Sequence, residues 1–159
     1  MAFELAQVNV GRLAAGLDDP QLAPFVEALD PVNALADTAP GFIWRLQTDD
    51  GNATGIQAFE WDAADSMGVI VNMSVWTDVE TLTAFVFGPM HREIMKRRRE
   101  FFVPMREAYT ACWWVPSGQR PTTDDAEDRI RHLRQHGATP YSFTLRQPFP
   151  APDGLRQLA

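Results

Sequence analysis

Hydrophobic and polar positions repeat along this chain with a period that switches between two residues and three to four, and the switches mark out its elements. Residues 3–10 (Phe-Glu-Leu-Ala-Gln-Val-Asn-Val) have strand length and composition and are closed by Gly11. Asp18-Asp19-Pro20 predicts a helix start, with Asp19 as N-cap and Pro20 at the first helical position. Leu22, Phe25, Val26 and Leu29 fall on one side of that helix. Asp30-Pro31 predicts a restart as a second short helix through Leu35, and Pro40-Gly41 ends the unit. Residues 41–47 then alternate, with Phe42, Trp44 and Leu46 on one face and Ile43 and Arg45 on the other. A turn cluster follows at 48–52, weaker strand material at 54–61 and a polar connection at 62–66.

Residues 67–76 alternate most regularly. Val69, Val71, Met73 and Val75 make an apolar face, opposite a mixed face of Ile70, Asn72, Ser74 and Trp76. Thr77 and Glu80 are spaced as a capping box for a helix to about Phe87. Pro89 opens a further helix that runs to Val103, before Pro104. A strand at 109–115 puts Tyr109, Ala111, Trp113 and Val115 opposite Thr110, Cys112 and Trp114. Thr123, Ala126, Ile130 and Leu133 define a last amphipathic helix ending at Gly137. Residues 141–145 read as a short final strand, and Pro148, Pro150 and Pro152 lead an extended tail.

Without the extras the order is β-α-β-β-α-β. This predicts an α+β fold of the ferredoxin-like, split βαβ type, an antiparallel sheet with helices on one face. Residues 1–150 would form a single domain, and 151–159 the tail. The sheet's other face would be bare and aromatic, carrying Trp44, Trp76 and Trp114. A patch that large calls for cover by a ligand or by a partner subunit, most economically in a face-to-face homodimer.

The polar positions that interrupt these patterns are the candidates for chemistry. On the helix at 89–103, a turn of ~100° per residue places His91, Ile94, Met95, Arg98 and Phe102 on one stripe. A guanidinium on an apolar flank needs an anionic or strongly accepting partner, supplied by the protein or by a ligand. His91 suits proton transfer near neutral pH, or is a hydrogen-bonded core histidine. Arg98 could clamp a carboxylate, phenolate or enolate, or pair with Asp78, Glu60 or another acid. Asn72 could hold an oxyanion or tie sheet backbone, and Asn9 and Arg45 interrupt strands in the same way. Trp44, Trp76 and Trp114 could line a flat pocket for an aromatic metabolite, or build core.

Composition narrows the field. The chain has 159 residues and a formal net charge of -7, which disfavours a nucleic-acid or anionic-membrane surface. The basic run at 92–99 is interleaved with Glu93 and Glu100 and reads as a solvated helix face. Cys112 is the only cysteine, so neither an intramolecular disulfide nor a cysteine zinc site is available, and it reads as buried filler. There is no phosphate-binding Gly-rich loop and no G-x-S-x-G. His132 and His136 have a metal-capable spacing but lie among arginines and read as surface groups. With no signal-like start and no apolar run of the ~20 residues a membrane span needs, the expectation is a cytoplasmic protein without a membrane partner.

Five stretches carry a family likeness. They are Asn9 in Gln-Val-Asn-Val, Pro40-Gly-Phe-Ile-Trp-Arg-Leu-Gln, Asn72-Met-Ser-Val-Trp, His91 with Arg97-Arg-Arg-Glu-Phe-Phe, and Trp113-Trp-Val-Pro-Ser-Gly. Over about residues 3–150 the chain resembles a family of short, mostly bacterial proteins of unknown function. That family is grouped with the dimeric α/β-barrel superfamily of antibiotic-biosynthesis monooxygenases. Where Phe101 or Phe102 stands, such proteins more usually have tryptophan. The resemblance implies a ferredoxin-like fold and a homodimer, and no activity. The wider superfamily holds cofactor-free oxygenases, haem enzymes, cyclases and isomerases, and fold analogy alone does not choose among them.

Three expectations follow. The first is a cofactor-independent monooxygenase, cyclase or isomerase acting on a small hydrophobic metabolite, with His91 moving the proton and Arg98 and Asn72 stabilising oxyanion charge. In a lesser version His91 is an axial haem ligand. The second is a non-catalytic small-molecule-binding module. The third is a structural dimer whose aromatic face is filled by its partner.

Overall fold

The alternation in the first strand sets the two faces of the whole sheet. In the computed structural model, which describes residues 2–152, β1 (Phe3–Arg12) lies between β3 (Val69–Trp76) and β4 (Thr110–Pro116), and β2 (Phe42–Arg45) flanks β3. The order is β2-β3-β1-β4, and every neighbouring pair is antiparallel. Val8 stands opposite Met73 and Ala111, and Asn9 opposite Asn72 and Thr110. Since side chains alternate with a period of two, this register gathers Ala6, Val8, Val10, Val71, Met73, Val75, Ala111 and Trp113 on one face. Gln7, Asn9, Asn72 and Ser74 gather on the other. Helices α1 (Ala23–Asp37), α2 (Val79–Val86), α3 (Pro89–Lys96) and α4 (Arg98–Phe101) face the polar side. The β-α-β-β-α-β order of the sequence is thus met, in an α+β arrangement consistent with a ferredoxin-like fold.

The apolar face is not bare. Helix α5 (Thr123–His136) lies on it, burying Ala126, Ile130 and Leu133 among the strand residues. Its start is fixed by a capping box between Thr122 and Asp125, and Gly137 ends it at φ 76°. The expectation that Trp44, Trp76 and Trp114 share one open face is therefore corrected. Trp44 packs into the core under α5, Trp76 is buried on the opposite side, and Trp114 donates its Nε1–H to the Phe149 carbonyl at 2.8 Å. A register shift between Phe42 and Trp44 separates those two rings, which simple alternation had put together.

Other departures have local causes. Residues 54–61 form no strand: Phe59 adopts a left-handed backbone (φ 58°), is fully buried, and gives its N–H to Glu127 Oε1 at 3.0 Å instead of to a ladder. The following turn places Asp62, 5% exposed, between two arginines. Arg134 reaches its carboxylate at 2.8 and 3.0 Å and Arg12 at 2.6 Å, clamping this connection to α5 and β1. After a 3-10 turn at Pro20–Leu22 that Asp19 caps, α1 continues through Pro31 without restarting. Pro31 is exposed, so water can reach the carbonyl its ring leaves unpaired. Asp78, not Thr77, caps α2 through Thr81 N–H. Around Phe143 there are only isolated bridges, one of them to Cys112, in place of a final strand. Most of the 151–159 tail lies outside the described residues.

The helix predicted at 89–103 is broken. Arg97 leaves helical geometry (φ -96°, ψ 10°), and the bonds from Arg97 N–H to Ile94 O and from Glu100 N–H to Arg97 O span three residues. His91 and Arg98 accordingly sit on two helices, α3 and α4, and not two turns apart on one.

Candidate functional site

Polar side chains on the inner strands of a sheet must find partners or meet water. On the helix side of β1 and β3 they do both. Gln7 donates through Nε2 to Asn72 Oδ1 at 3.0 Å and to Ser74 Oγ at 2.8 Å, and Trp76 Nε1–H donates to the same Ser74 Oγ at 2.8 Å. Asn72 is nevertheless exposed, although its strand has neighbours on both sides. The reason is that α1–α4 do not close onto the sheet: a cavity of about 550 Å³ lies between them. At one end Gly11 makes room for Phe102, since a Cβ at Gly11 would stand 2.6 Å from the Phe102 ring.

An aromatic row leads from β2 to His91. Phe42 meets Trp76 edge-on at 5.5 Å, Trp76 lies 5.2 Å from Phe85, and Phe85 lies 5.6 Å from the His91 ring. His91 lines the cavity from the first turn of α3, and among the described residues its buried Nδ1 has no hydrogen-bond partner. Burial holds its pKa below the ordinary 6.5, opposed by the nearby Val86 carbonyl, with which no hydrogen bond of ordinary geometry forms. The ring is therefore neutral at neutral pH, with a nitrogen to spare.

Arg98 approaches from α4. Its guanidinium sits over the Tyr109 ring at 4.2 Å and the Phe102 ring at 5.0 Å, and donates to the Val10 carbonyl at 3.3 Å. Among the described residues no carboxylate pairs with it, so the ion pairs with Asp78 or Glu60 that the sequence allowed are not made. Burial lowers its pKa and Tyr109 opposes the shift; an arginine stays charged at neutral pH regardless. One cavity thus holds a neutral base without a partner and a cation without a counter-ion.

Of the residues singled out in the sequence, His91, Arg98, Asn72, Asn9, Arg45 and Trp76 line this cavity, and Trp44 and Trp114 do not. Arg45 is already engaged, by Asp37 at 2.8 Å and by the Gly51 carbonyl at 2.7 Å. Gln7, Ser74, Phe85, Tyr109, Arg106 and Arg146 also line it and were not picked out. Gln7 had a readable signal, being the polar alternate between Ala6 and Val8 just as Asn9 is between Val8 and Val10.

The remaining candidates stay outside the chemistry. Cys112 lines the cavity, but burial pushes its pKa up to about 12, which keeps the thiol protonated and poorly nucleophilic. The His132 and His136 rings lie tilted to each other at 4.5 Å, and His132 Nε2 is 3.0 Å from Thr139 Oγ1. No group of three or more potential metal ligands forms among the described residues. Apart from Arg98, which turns into the cavity, the basic run is solvated, with i,i+3 pairs Lys96–Glu93 at 3.2 Å and Arg97–Glu100 at 2.7 Å. No helix among the described residues is long and apolar enough to cross a membrane.

Comparison with known proteins places the chain without naming a reaction. The family model described as Domain of unknown function (DUF3291) matches residues 4–158. No curated protein matches. Among solved structures, the chain is similar to the NE2512 protein of unknown function from Nitrosomonas europaea, at 12% identity and a TM-score of 0.46, covering 76% of this chain and 96% of that one.

Proposed function

This chain belongs to the DUF3291 family, and from the geometry of its cavity we propose that it binds a small hydrophobic metabolite and moves a proton on it. The reading rests on one observation: the unpartnered imidazole of His91 and the acid-free guanidinium of Arg98 line the same cavity. His91 takes a proton from an acidic C–H or O–H of the ligand, and its lowered pKa suits a base that starts neutral. Arg98 and the Asn72 amide stabilise the oxyanion that develops as the proton leaves. Loss of this proton leaves an enolate or phenolate that an oxygenase, a cyclase or an isomerase could each carry on, so the proposal fixes the step and leaves its continuation to the substrate. The walls that would hold the ligand's apolar part come from Phe25, Ile94, Phe85 and Val86.

The test is deuterium exchange at the α-carbon of 2-tetralone in D2O. Wild-type protein is expected to accelerate exchange, His91→Ala to lose about 10²-fold or more of that acceleration, and Arg98→Met to lose part of it. Equal exchange by wild type and both variants contradicts the assignment.

A second reading has its own support. A catalytic histidine is usually oriented by a hydrogen bond to an acid or a carbonyl, and among the described residues His91 Nδ1 makes neither bond. In that reading the cavity binds its ligand without chemistry, and both variants change affinity alone. The haem alternative rests on the same free nitrogen of His91, and a Soret band in the purified protein would decide it. A homodimer of the dimeric α/β-barrel kind is supported by family resemblance alone, because pairing bare sheets face to face would require α5 to leave its seat.

A further inference from the structure

The chain carries 21 acidic side chains against 14 lysines and arginines, so an average lining would be acidic. The cavity reverses this. Among the described residues Arg45, Arg98, Arg106 and Arg146 line it, against the single carboxylate of Glu107. Two of these charges are already answered at the edges: Arg45 is held by Asp37 at 2.8 Å, and Glu107 faces Arg12 at 3.5 Å. Arg98, Arg106 and Arg146 have no acid partner among the described residues.

These three come from α4 and from the segments that flank β4. Arg98 stacks on Tyr109, the residue before β4, and Arg106 stands three residues before Tyr109. Arg146 follows Phe143, which bridges to Cys112 in β4. Arg106 and Arg146 are exposed and screened by water, whereas Arg98 is half-buried and held by two rings and a carbonyl. The side chains that α1 and α2 add to the lining are apolar, among them Phe25, Val32, Leu82 and Phe85. The cavity therefore joins apolar walls to a half-buried cation, with Phe25 packed at 5.2 Å on the Phe102 ring that Arg98 covers.

We propose that the ligand is a hydrophobic acid, an apolar or aromatic skeleton bearing one carboxylate, seated with the carboxylate on Arg98 and its apolar body toward α1 and α2. This deepens the proposed function and rests on it, since it assumes that the cavity binds a small molecule. A carboxylate would use the guanidinium donors that the Val10 carbonyl leaves free, in a partly desolvated setting where charge-assisted hydrogen bonds are strongest. Arg106 and Arg146, at the exposed rim, would speed the approach of an anion to a chain of net charge -7.

The experiment is isothermal titration of the full chain with three probes of one shape: 2-naphthoate, 2-naphthalenemethanol and 2-naphthylmethylammonium. The acid is expected to bind about tenfold or more tighter than the alcohol, and the ammonium most weakly. Arg98→Gln should bring the acid-to-alcohol ratio close to one, and a circular-dichroism spectrum and urea midpoint close to those of wild type show that the variant is folded. Arg146→Gln should change the ratio by no more than about threefold, because an exposed charge contributes little. Equal binding of acid and alcohol by wild type overturns the charge selection and leaves the hydrophobic-cavity reading standing. Failure of all three probes to bind overturns both. A loss of alcohol and acid affinity together in Arg98→Gln would make Arg98 a wall of the cavity, and the assignment of the carboxylate to it would fall.

Discussion

The two faces of one sheet are made by the same strands, residue by alternate residue, and they have opposite properties. Under α5, Val8, Met73 and Ala111 meet Ile130 and Leu133 in a dry core. One residue along each strand, Asn9, Asn72 and Thr110 stand opposite one another and look into a cavity of about 550 Å³. The first face is closed by apolar contact and by the clamp on Asp62, and the second is left open by helices that pack on one another, with α1 on β2 and α2 on β3. The difference teaches that stability and binding are separable here, although they share three strands.

Mutations should show this separation, with the closed face giving the largest effects. Asp62→Ala leaves Arg12 and Arg134 without their shared carboxylate and is expected to cost about 3–5 kcal/mol in urea unfolding. Burial by itself would raise the Asp62 pKa, but the hydrogen bonds from Arg134 and Arg12 outweigh it and hold the carboxyl below its ordinary value. The unfolded chain thus takes up this proton first on acidification. The clamp's contribution is complete above the ordinary aspartate range and is lost as pH falls through the lowered native value. Ile130→Ala, also under α5, should cost about 2–5 kcal/mol while leaving the affinity for cavity probes unchanged. Either variant weakening cavity binding as much as stability would blur the distinction between the faces.

Effects should be smaller on the open face. Gly11→Ala forces a methyl against Phe102 and is expected to cost about 1–3 kcal/mol, visible as a lower urea midpoint and a changed affinity for 2-naphthalenemethanol. Asn72→Ala should alter stability by no more than about 0.5 kcal/mol, because Gln7 keeps Ser74 as an acceptor and the side chain is exposed. The finest test is the pH dependence of His91→Phe. Burial lowers the native His91 pKa, so wild type loses stability as pH drops from the ordinary 6.5 through the native value, and the variant does not. Unfolding at pH 7.5 and 5.0 should therefore shift in favour of His91→Phe at the lower pH; an unchanged difference would place the imidazole in water.

Much of this was written in the chain's alternation. The pattern of residues 3–10 and 67–76 gave both central strands and both faces, because burial on one side leaves a period of two. The polar interruptions at Asn9, Asn72 and Arg45, together with His91 and Arg98, did converge on one cavity. Periodicity says that a helix has an apolar stripe but not where the stripe docks, so nothing local revealed that α5 would cover the sheet. The break at Arg97 was hidden for a related reason: no glycine or proline marks it, and residues 97–100 are all good helix formers. Arg106 and Arg146 lie in irregular segments, where spacing carries no information about which wall a side chain joins.

The most direct measurement is an amide-detected NMR titration of the wild-type chain with 2-naphthalenemethanol, an uncharged probe that tests the cavity apart from its charge. Shifts should gather at the side-chain amides of Gln7, Asn9 and Asn72 and at the backbone of Arg98, and leave Ala126, Ile130 and Leu133 still. No shift at these groups, or shifts spread equally to α5, would contradict an open binding face backed by a closed structural one.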